Sequence, residues 1–308
     1  MAGHFADRLA AAVRQRGNPV LVGLDPRRHQ LPKSLLRSTA ETSPDEIASA
    51  YRTFCCAVVD AVAGLVAAVK PQMAFFEELG PAGMTALFDV VKHAHAAGLL
   101  VILDGKRGDI GSTAAAYAAG LLGPGEASPW GGDALTVNPY LGDDSLEPLV
   151  NTAAERGAGL FVLVKTSNSG GGQFQDLVAD GRPVYRHVAE LVERMAADSQ
   201  GSCGYGHVGA VVGATYPEQL NELREVLQHS WLLVPGYGSQ GGRAQDVRAA
   251  FDQQGLGAII NSSRAIIYAH RREPYAARYG EARWAEAVAA ATRDMVDELR
   301  AETNAGRL

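Results

Sequence analysis

Three cysteines in 308 residues are too few for a disulfide framework. Cys55 and Cys56 are neighbours inside a helical pattern and Cys203 sits in a glycine-rich turn. All three read as reduced packing thiols, which fits a cytoplasmic protein. No apolar run reaches the roughly 20 residues needed to cross a bilayer without a charge, glycine or proline breaking it. The stretch from Met1 to Arg16 reads as an amphipathic helix rather than a signal peptide. Positive charge is in deficit, with 28 Lys and Arg against 34 Asp and Glu, a net charge of -6. That balance argues against a surface built to wrap nucleic acid. No linker or shift of composition divides the chain, which is read as one domain over residues 1–308.

What is present is a regular alternation. Continuously apolar runs occur at Val20 to Leu24, Leu65 to Val69, Leu99 to Leu103, Ala134 to Val137, Leu160 to Val164, Val208 to Val212, Trp231 to Val234 and Ala258 to Ile260. Continuity without polar alternation is the mark of parallel strands covered on both faces. Helical patterns fill the gaps at Pro44 to Val62, Pro81 to Ala97, Ser112 to Leu122, Ser145 to Arg156, Val184 to Ala197, Pro217 to Gln228, Ala244 to Gln253 and Trp284 to Ala301. Several open with Pro or Ser in the first turn, which suits a helix start. Eight such units behind an extra N-terminal helix predict an α/β fold, a single (β/α)8 TIM barrel. A doubly wound sheet is the alternative. It would want a glycine-rich dinucleotide turn after its first strand, and Gly23-Leu24-Asp25-Pro26 is not one. Two connections exceed what a barrel needs, Pro26 to Ser43 and Thr166 to Pro183. The second carries Gly170-Gly171-Gly172 directly after a strand and reads as a lid.

The third apolar run ends on Asp104-Gly105-Lys106-Arg107-Gly108-Asp109-Ile110. Side chains two apart in an extended chain share a face, so Asp104 and Lys106 are expected to point the same way, with Asp109 on the loop beyond. A barrel gathers the residues after each strand into one bowl. Asp25, Lys70, Asp104 and Lys106 then come from three neighbouring strand ends as alternating charges. The last two strand ends differ, carrying Pro235 to Gly242 and Asn261-Ser262-Ser263-Arg264. Glycine-rich turns there leave backbone N–H groups open to an anion, with Gln240 and Arg264 as side-chain donors, and this pattern reads as a phosphate cup.

These motifs in this order resemble the orotidine 5′-monophosphate decarboxylase family, in its longer bacterial (type 2) subgroup. The similarity runs through Leu21-Val22-Gly23-Leu24-Asp25-Pro26, Val69-Lys70-Pro71-Gln72, the Asp104 to Asp109 block, Val164-Lys165-Thr166-Ser167-Asn168-Ser169-Gly170, Pro235 to Gly242 and Asn261 to Ile266. The resemblance implies a cytoplasmic carboxy-lyase, a barrel homodimer that needs no cofactor or metal and makes UMP in pyrimidine biosynthesis. It assigns Lys70, Asp104, Lys106 and Asp109 to a catalytic charge array, with Lys106 protonating the C6 carbanion. Asp109 and Thr113 would reach across the dimer into the partner's site. Asp25 would bind the ribose, Ser167 the pyrimidine edge (Ser169 lies two residues on), and Gln240 and Arg264 the phosphate.

Two rivals bear on this expectation. Sugar-phosphate barrels with a similar block use a metal ion, but few His or Glu residues fall at the mapped strand ends. His207 precedes its strand and His93 and His95 lie on a helix, so all three read as surface or packing residues. A ligand-binding barrel without catalysis would not need Lys70, Asp104, Lys106 and Asp109 together. Leu65, Met84, Phe75 and Phe76 are read either as interface or as core.

Overall fold

The structure is a computed structural model that describes residues 3–35, 42–238 and 241–308. Eight parallel strands close into a barrel in sequence order: β1 (Val20–Leu24), β2 (Ala68–Pro71), β3 (Leu100–Arg107), β4 (Ala134–Val137), β5 (Gly159–Lys165), β6 (Val208–Val212), β7 (Leu232–Val234) and β8 (Ala258–Ser262). β8 pairs back onto β1, Val20 opposite Ile260 and Val22 opposite Ser262. The expected TIM barrel is the observed fold.

Among the described residues, twelve α-helical segments accompany the strands: α1 (Phe5–Arg16), α2 (Pro44–Val62), α3 (Ala74–Glu77), α4 (Gly80–Ala96), α5 (Gly111–Leu121), α6 (Asp143–Arg156), α7 (Gly172–Gln175), α8 (Val184–Ala197), α9 (Pro217–Val226), α10 (Arg264–Ile267), α11 (Tyr275–Tyr279) and α12 (Trp284–Glu302). α2 starts where its residues demand. Ser43 caps the Glu46 amide, Glu46 returns the bond to the Ser43 amide, and Pro44 occupies the first turn.

Both strand faces are buried, which explains the continuous apolar runs. Val20, Val22 and Leu24 face the helices, whereas Leu21, Ile102, Phe161, Trp231, Leu233 and Ile259 belong to the cluster that α1 closes with Phe5, Leu9 and Val13. The extra helix is thus the floor of the barrel. Gly159 lets it seat, because a Cβ there would lie 2.1 Å from the Phe5 ring.

Most boundaries shift by one or two residues from the sequence reading, and three elements depart from it further. The second run does not begin at Leu65, because the Leu65 and Val66 amides bond back to the Val62 carbonyl and end α2; the strand starts at Ala68, and Lys70 lies within it. β3 continues through the charged motif to Arg107, since the Asp104 and Arg107 carbonyls accept from the Met73 and Asn138 amides. The seventh helical pattern is a 3-10 stretch, Ala244–Ala250. Phe76 is core, and Leu65, Phe75 and Met84 pack half-buried against the same cluster. No described helix is long and apolar enough to cross a membrane.

Candidate active site

At the carboxyl ends of the strands lies a cavity of about 520 Å³. Asp104 sits at its base, buried, with four donors on its two oxygens. Lys70 Nζ (2.6 Å) and Gln72 Nε2 (3.1 Å) donate to Oδ2; Lys106 Nζ (2.6 Å) and Thr136 Oγ1 (2.9 Å) donate to Oδ1. The expectation that Asp104 and Lys106 share a face holds, but not through regular strand geometry. The β3–β4 register shifts between Leu103 and Arg107, and Lys106 adopts φ 46°, the left-handed region that non-glycine residues avoid. Its amide is held there by Thr136 Oγ1 at 2.9 Å.

Burial alone would raise the Asp104 carboxyl. Lys70 and Lys106 outweigh it and hold the group well below the usual carboxylate range. Burial pulls the Lys70 ammonium down, and the facing charges of Asp104 and Asp25 more than restore it, so its proton is held more tightly than in water. Asp25 follows the opposite balance. Burial, helped by Asp104, pushes its carboxyl up despite Lys70 nearby. Its Oδ1 is buried without a hydrogen-bond partner among the described residues, an acceptor in the cavity wall awaiting a donor.

The other wall is built by loops. Gly236 (φ 99°) and Gly238 (φ 74°) turn the chain after β7, and Ser263 and Arg264 begin α10 after β8. Gly23 makes room for this end of the site: a Cβ there would fall 1.8 Å from Ser263 Oγ. Tyr268, one turn beyond Arg264, ties the β1 loop to it. Its hydroxyl accepts from the Arg27 amide (2.7 Å) and donates to the Asp25 carbonyl (3.2 Å). A more open hollow of about 630 Å³ lies across Tyr237, Gly238 and Arg264, lined also by Arg271 and Asp294; it holds no part of the lysine–aspartate array.

The cavity brings together Asp25, Lys70, Asp104, Lys106, Ser167 and Arg264. Ser169, by contrast, is exposed and does not line it. Asp109 and Thr113 lie outside. Asp109 accepts from the adjacent Ile110 amide (2.8 Å), and Thr113 is exposed on the first turn of α5. Gln240 falls outside the described residues. The glycine-rich insert after β5 contains α7 and a short hairpin, Val178–Ala179 with Arg182–Pro183, and its Gln175 reaches the cavity.

Sequence reasoning assigned no role to Arg27, Gln72, Thr136, Gln175, Asn261 or Ser263, all of which line the cavity. Thr136 left a signal, a lone hydroxyl in the apolar run Ala134-Leu135-Thr136-Val137. Arg27 left none; its guanidinium lies 5.2 Å from the Phe75 ring centroid. Away from the cavity, His95 bonds Asp133 (3.0 Å), His93 bonds Asp60 (2.7 Å) and His207 is buried. Among the described residues, no group of three or more His, Cys, Asp or Glu is placed to hold a metal ion.

A closed parallel barrel with a buried carboxylate clamped by two lysines, facing a cavity walled by glycine turns, defines a TIM-barrel enzyme with a charged cavity at the carboxyl ends of its strands. The comparisons narrow the class. The model of the orotidine 5′-phosphate decarboxylase / HUMPS family matches residues 18–279, and the chain belongs to that family. It is 58% identical over 298 residues to the orotidine 5′-phosphate decarboxylase of Rhodopirellula baltica, covering 96% of this chain and 99% of that one. With the Deinococcus radiodurans orotidine 5′-phosphate decarboxylase it shares 43% identity over 275 residues, 89% of this chain and 93% of the other. Among solved structures, Leishmania donovani OMP decarboxylase superposes with a TM-score of 0.73 at 31% identity, covering 97% of this chain and 98% of that one. The UMP synthase of the same organism superposes with a TM-score of 0.77 at 32% identity, over 98% of this chain but 57% of that longer chain.

Proposed function

We propose that this chain, acting as one barrel domain, is an orotidine 5′-phosphate decarboxylase: a carboxy-lyase that converts orotidine 5′-monophosphate to UMP and CO2 in pyrimidine biosynthesis, in the cytoplasm. The observation that carries this reading is Asp104 held ionised between Lys70 and Lys106, each at 2.6 Å, on the floor of the cavity.

Loss of CO2 breaks the bond from C6 to the carboxylate carbon, and the electron pair stays on C6 in an orbital the ring carbonyls cannot delocalise. Lys106 meets this charge. Its ammonium stabilises the developing carbanion, then passes a proton from Nζ to C6, giving UMP. The Lys106 side chain is about half exposed (46%), so the amine regains its proton from water. Asp104 faces the departing carboxylate, and their repulsion is relieved as CO2 leaves. Lys70, which is buried, keeps Asp104 ionised and oriented. The unpartnered Asp25 oxygen accepts from ribose hydroxyls, Ser167 contacts the pyrimidine edge, and Arg264 with Gln240 takes the phosphate. Binding energy from that remote group is used at C6.

The active form is a homodimer in which Asp109 and Thr113 complete the partner's site. Their position outside the cavity of their own chain supports this, with Asp109 half-buried and Thr113 exposed, as does exposed apolar surface at Ile110 (56%), Tyr140 (84%) and Leu141 (48%).

The test is loss of orotidine 5′-monophosphate absorbance on mixing with the protein, without added metal and unchanged by a chelator. Lys106→Ala should lower kcat by at least roughly a thousandfold, the scale of removing a charge-stabilising donor, while UMP binding stays measurable. Near-normal turnover by that variant overturns the assignment, and inhibition by the chelator restores the metal-using rival.

A further inference from the structure

We propose that Lys165 and Asp176 form a positioning pair that holds the cavity-lining loop Thr166–Asn168 in its substrate-binding shape. The inference rests on the reading above, in which Ser167 meets the pyrimidine.

Lys165 ends β5, and its side chain is 1% exposed, yet it does not line the cavity. A buried ammonium is costly unless a carboxylate compensates it. Asp176, the residue after α7 on the glycine-rich insert, is ion-paired to Lys165 Nζ while its own carboxylate is half exposed (51%). Two aromatic faces complete the enclosure, with Nζ 4.6 Å from the Tyr216 ring centroid and 5.4 Å from that of Tyr185. The fixed partner therefore lies in the barrel and the displaceable one on the insert.

The large apolar side chains of that insert are mostly exposed among the described residues. Phe174, Leu177 and Val178 are 62%, 56% and 70% exposed. The ion pair instead places the next residue back, Gln175, against the loop. Gln175 Oε1 accepts from the Thr166 amide (3.1 Å), its Nε2 donates to Thr166 Oγ1 (2.8 Å), and Thr166 Oγ1 donates to Asn168 Oδ1 (2.7 Å). Gln175, Thr166, Ser167 and Asn168 all line the cavity. On the opposite side the loop packs against Gly213, where a Cβ would lie 2.9 Å from Ser167 Cα. Displacing Asp176 would leave Lys165 with only the tyrosine faces and release Gln175 from Thr166. Lys165 and Asp176 thus act on substrate through the loop, without touching it.

Steady-state kinetics and hydrogen exchange on Asp176→Asn, Asp176→Glu, Lys165→Met and the Lys165→Met/Asp176→Asn double variant test the pair. Asp176→Asn should raise KM for orotidine 5′-monophosphate about tenfold, the scale of about 1.4 kcal/mol, with kcat within about twofold of wild type. Asp176→Glu should recover most of the affinity, and the double variant should be no worse than the poorer single variant. Amides across 166–183 should exchange faster in Asp176→Asn while those of β3 do not change. If Lys165→Met does not fold, Asp176→Asn, altered at a half-exposed carboxylate, still decides. Unchanged KM and unchanged exchange in that variant overturn the proposal. Wild-type protein that fails to decarboxylate would instead sink the functional reading; exchange accelerated only in 166–183 would still support the anchor, and unchanged exchange would overturn it.

Discussion

Each end of the barrel holds a buried aspartate gripped by side-chain donors, and the two ends have different surroundings. At the amino end, Asp133 accepts from Arg8 of α1 (2.5 Å), from His95 of α4 (3.0 Å) and from the Val101 amide (2.8 Å). At the carboxyl end, Asp104 is gripped by Lys70 and Lys106. In both, burial works against ionisation and is outweighed, at Asp133 by the hydrogen bond from His95 and the charge of Arg8, at Asp104 by the two lysines. The difference is what faces the pair. α1 packs over the lower barrel interior, so the Asp133 grip fastens a floor to a barrel. The Asp104 grip opens on a cavity, where on the proposed function its fixed charges face the substrate instead. The same electrostatics serves as a fastener where it is sealed, and in the proposed mechanism as a catalyst where it is left open.

That contrast can be broken by exchanging the carboxylates. Asp104→Asn should lower kcat by roughly a thousandfold or more; activity within tenfold of wild type would show that the open end does not work by fixed charge. Asp133→Ala should leave activity per folded molecule intact but destabilise the protein by about 3 kcal/mol, because Arg8 loses its buried partner. Urea unfolding measures this, and a selective loss of kcat at full folding would erase the distinction between the ends. A smaller effect belongs to His207, buried near α1 with its ring edge-to-face on His4. Burial lowers its pKa to about 4 from 6.5. The unfolded chain therefore binds the extra proton first, and stability falls as pH drops from about 6.5 toward 4. His207→Gln should flatten that part of the stability profile; an unchanged slope would place the titration elsewhere.

The fold was legible where one physical signal was sufficient. β1, β4 and β6 lie where short, largely apolar runs predict strands, because a parallel strand buried on both faces needs such a run. Leu65 was misplaced because an apolar residue closing a helix looks the same in sequence as one opening a strand. β3 was cut short at Leu103 because a run of charges does not reveal that each will find a counter-charge. The site divided similarly. Asp104, Lys106 and Lys70 could be read from strand ends, whereas Gln72, Thr136 and Gln175 act through partners 32, 32 and 9 residues away. Such bonds have no local signature. Asp109 and Thr113 lie outside the cavity, and only the family resemblance gave them a role in a shared site.

The backbone at Lys106 has a consequence for descent. A left-handed φ suits glycine or asparagine better than lysine, by about 1 kcal/mol. A lineage released from the need to decarboxylate would find those replacements conformationally easier, and the barrel around them would still fold. Lysine in that conformation is therefore a residue that drift tends to erase, and on the proposed role of Lys106 its presence would separate a working copy from a silent one where overall shape cannot.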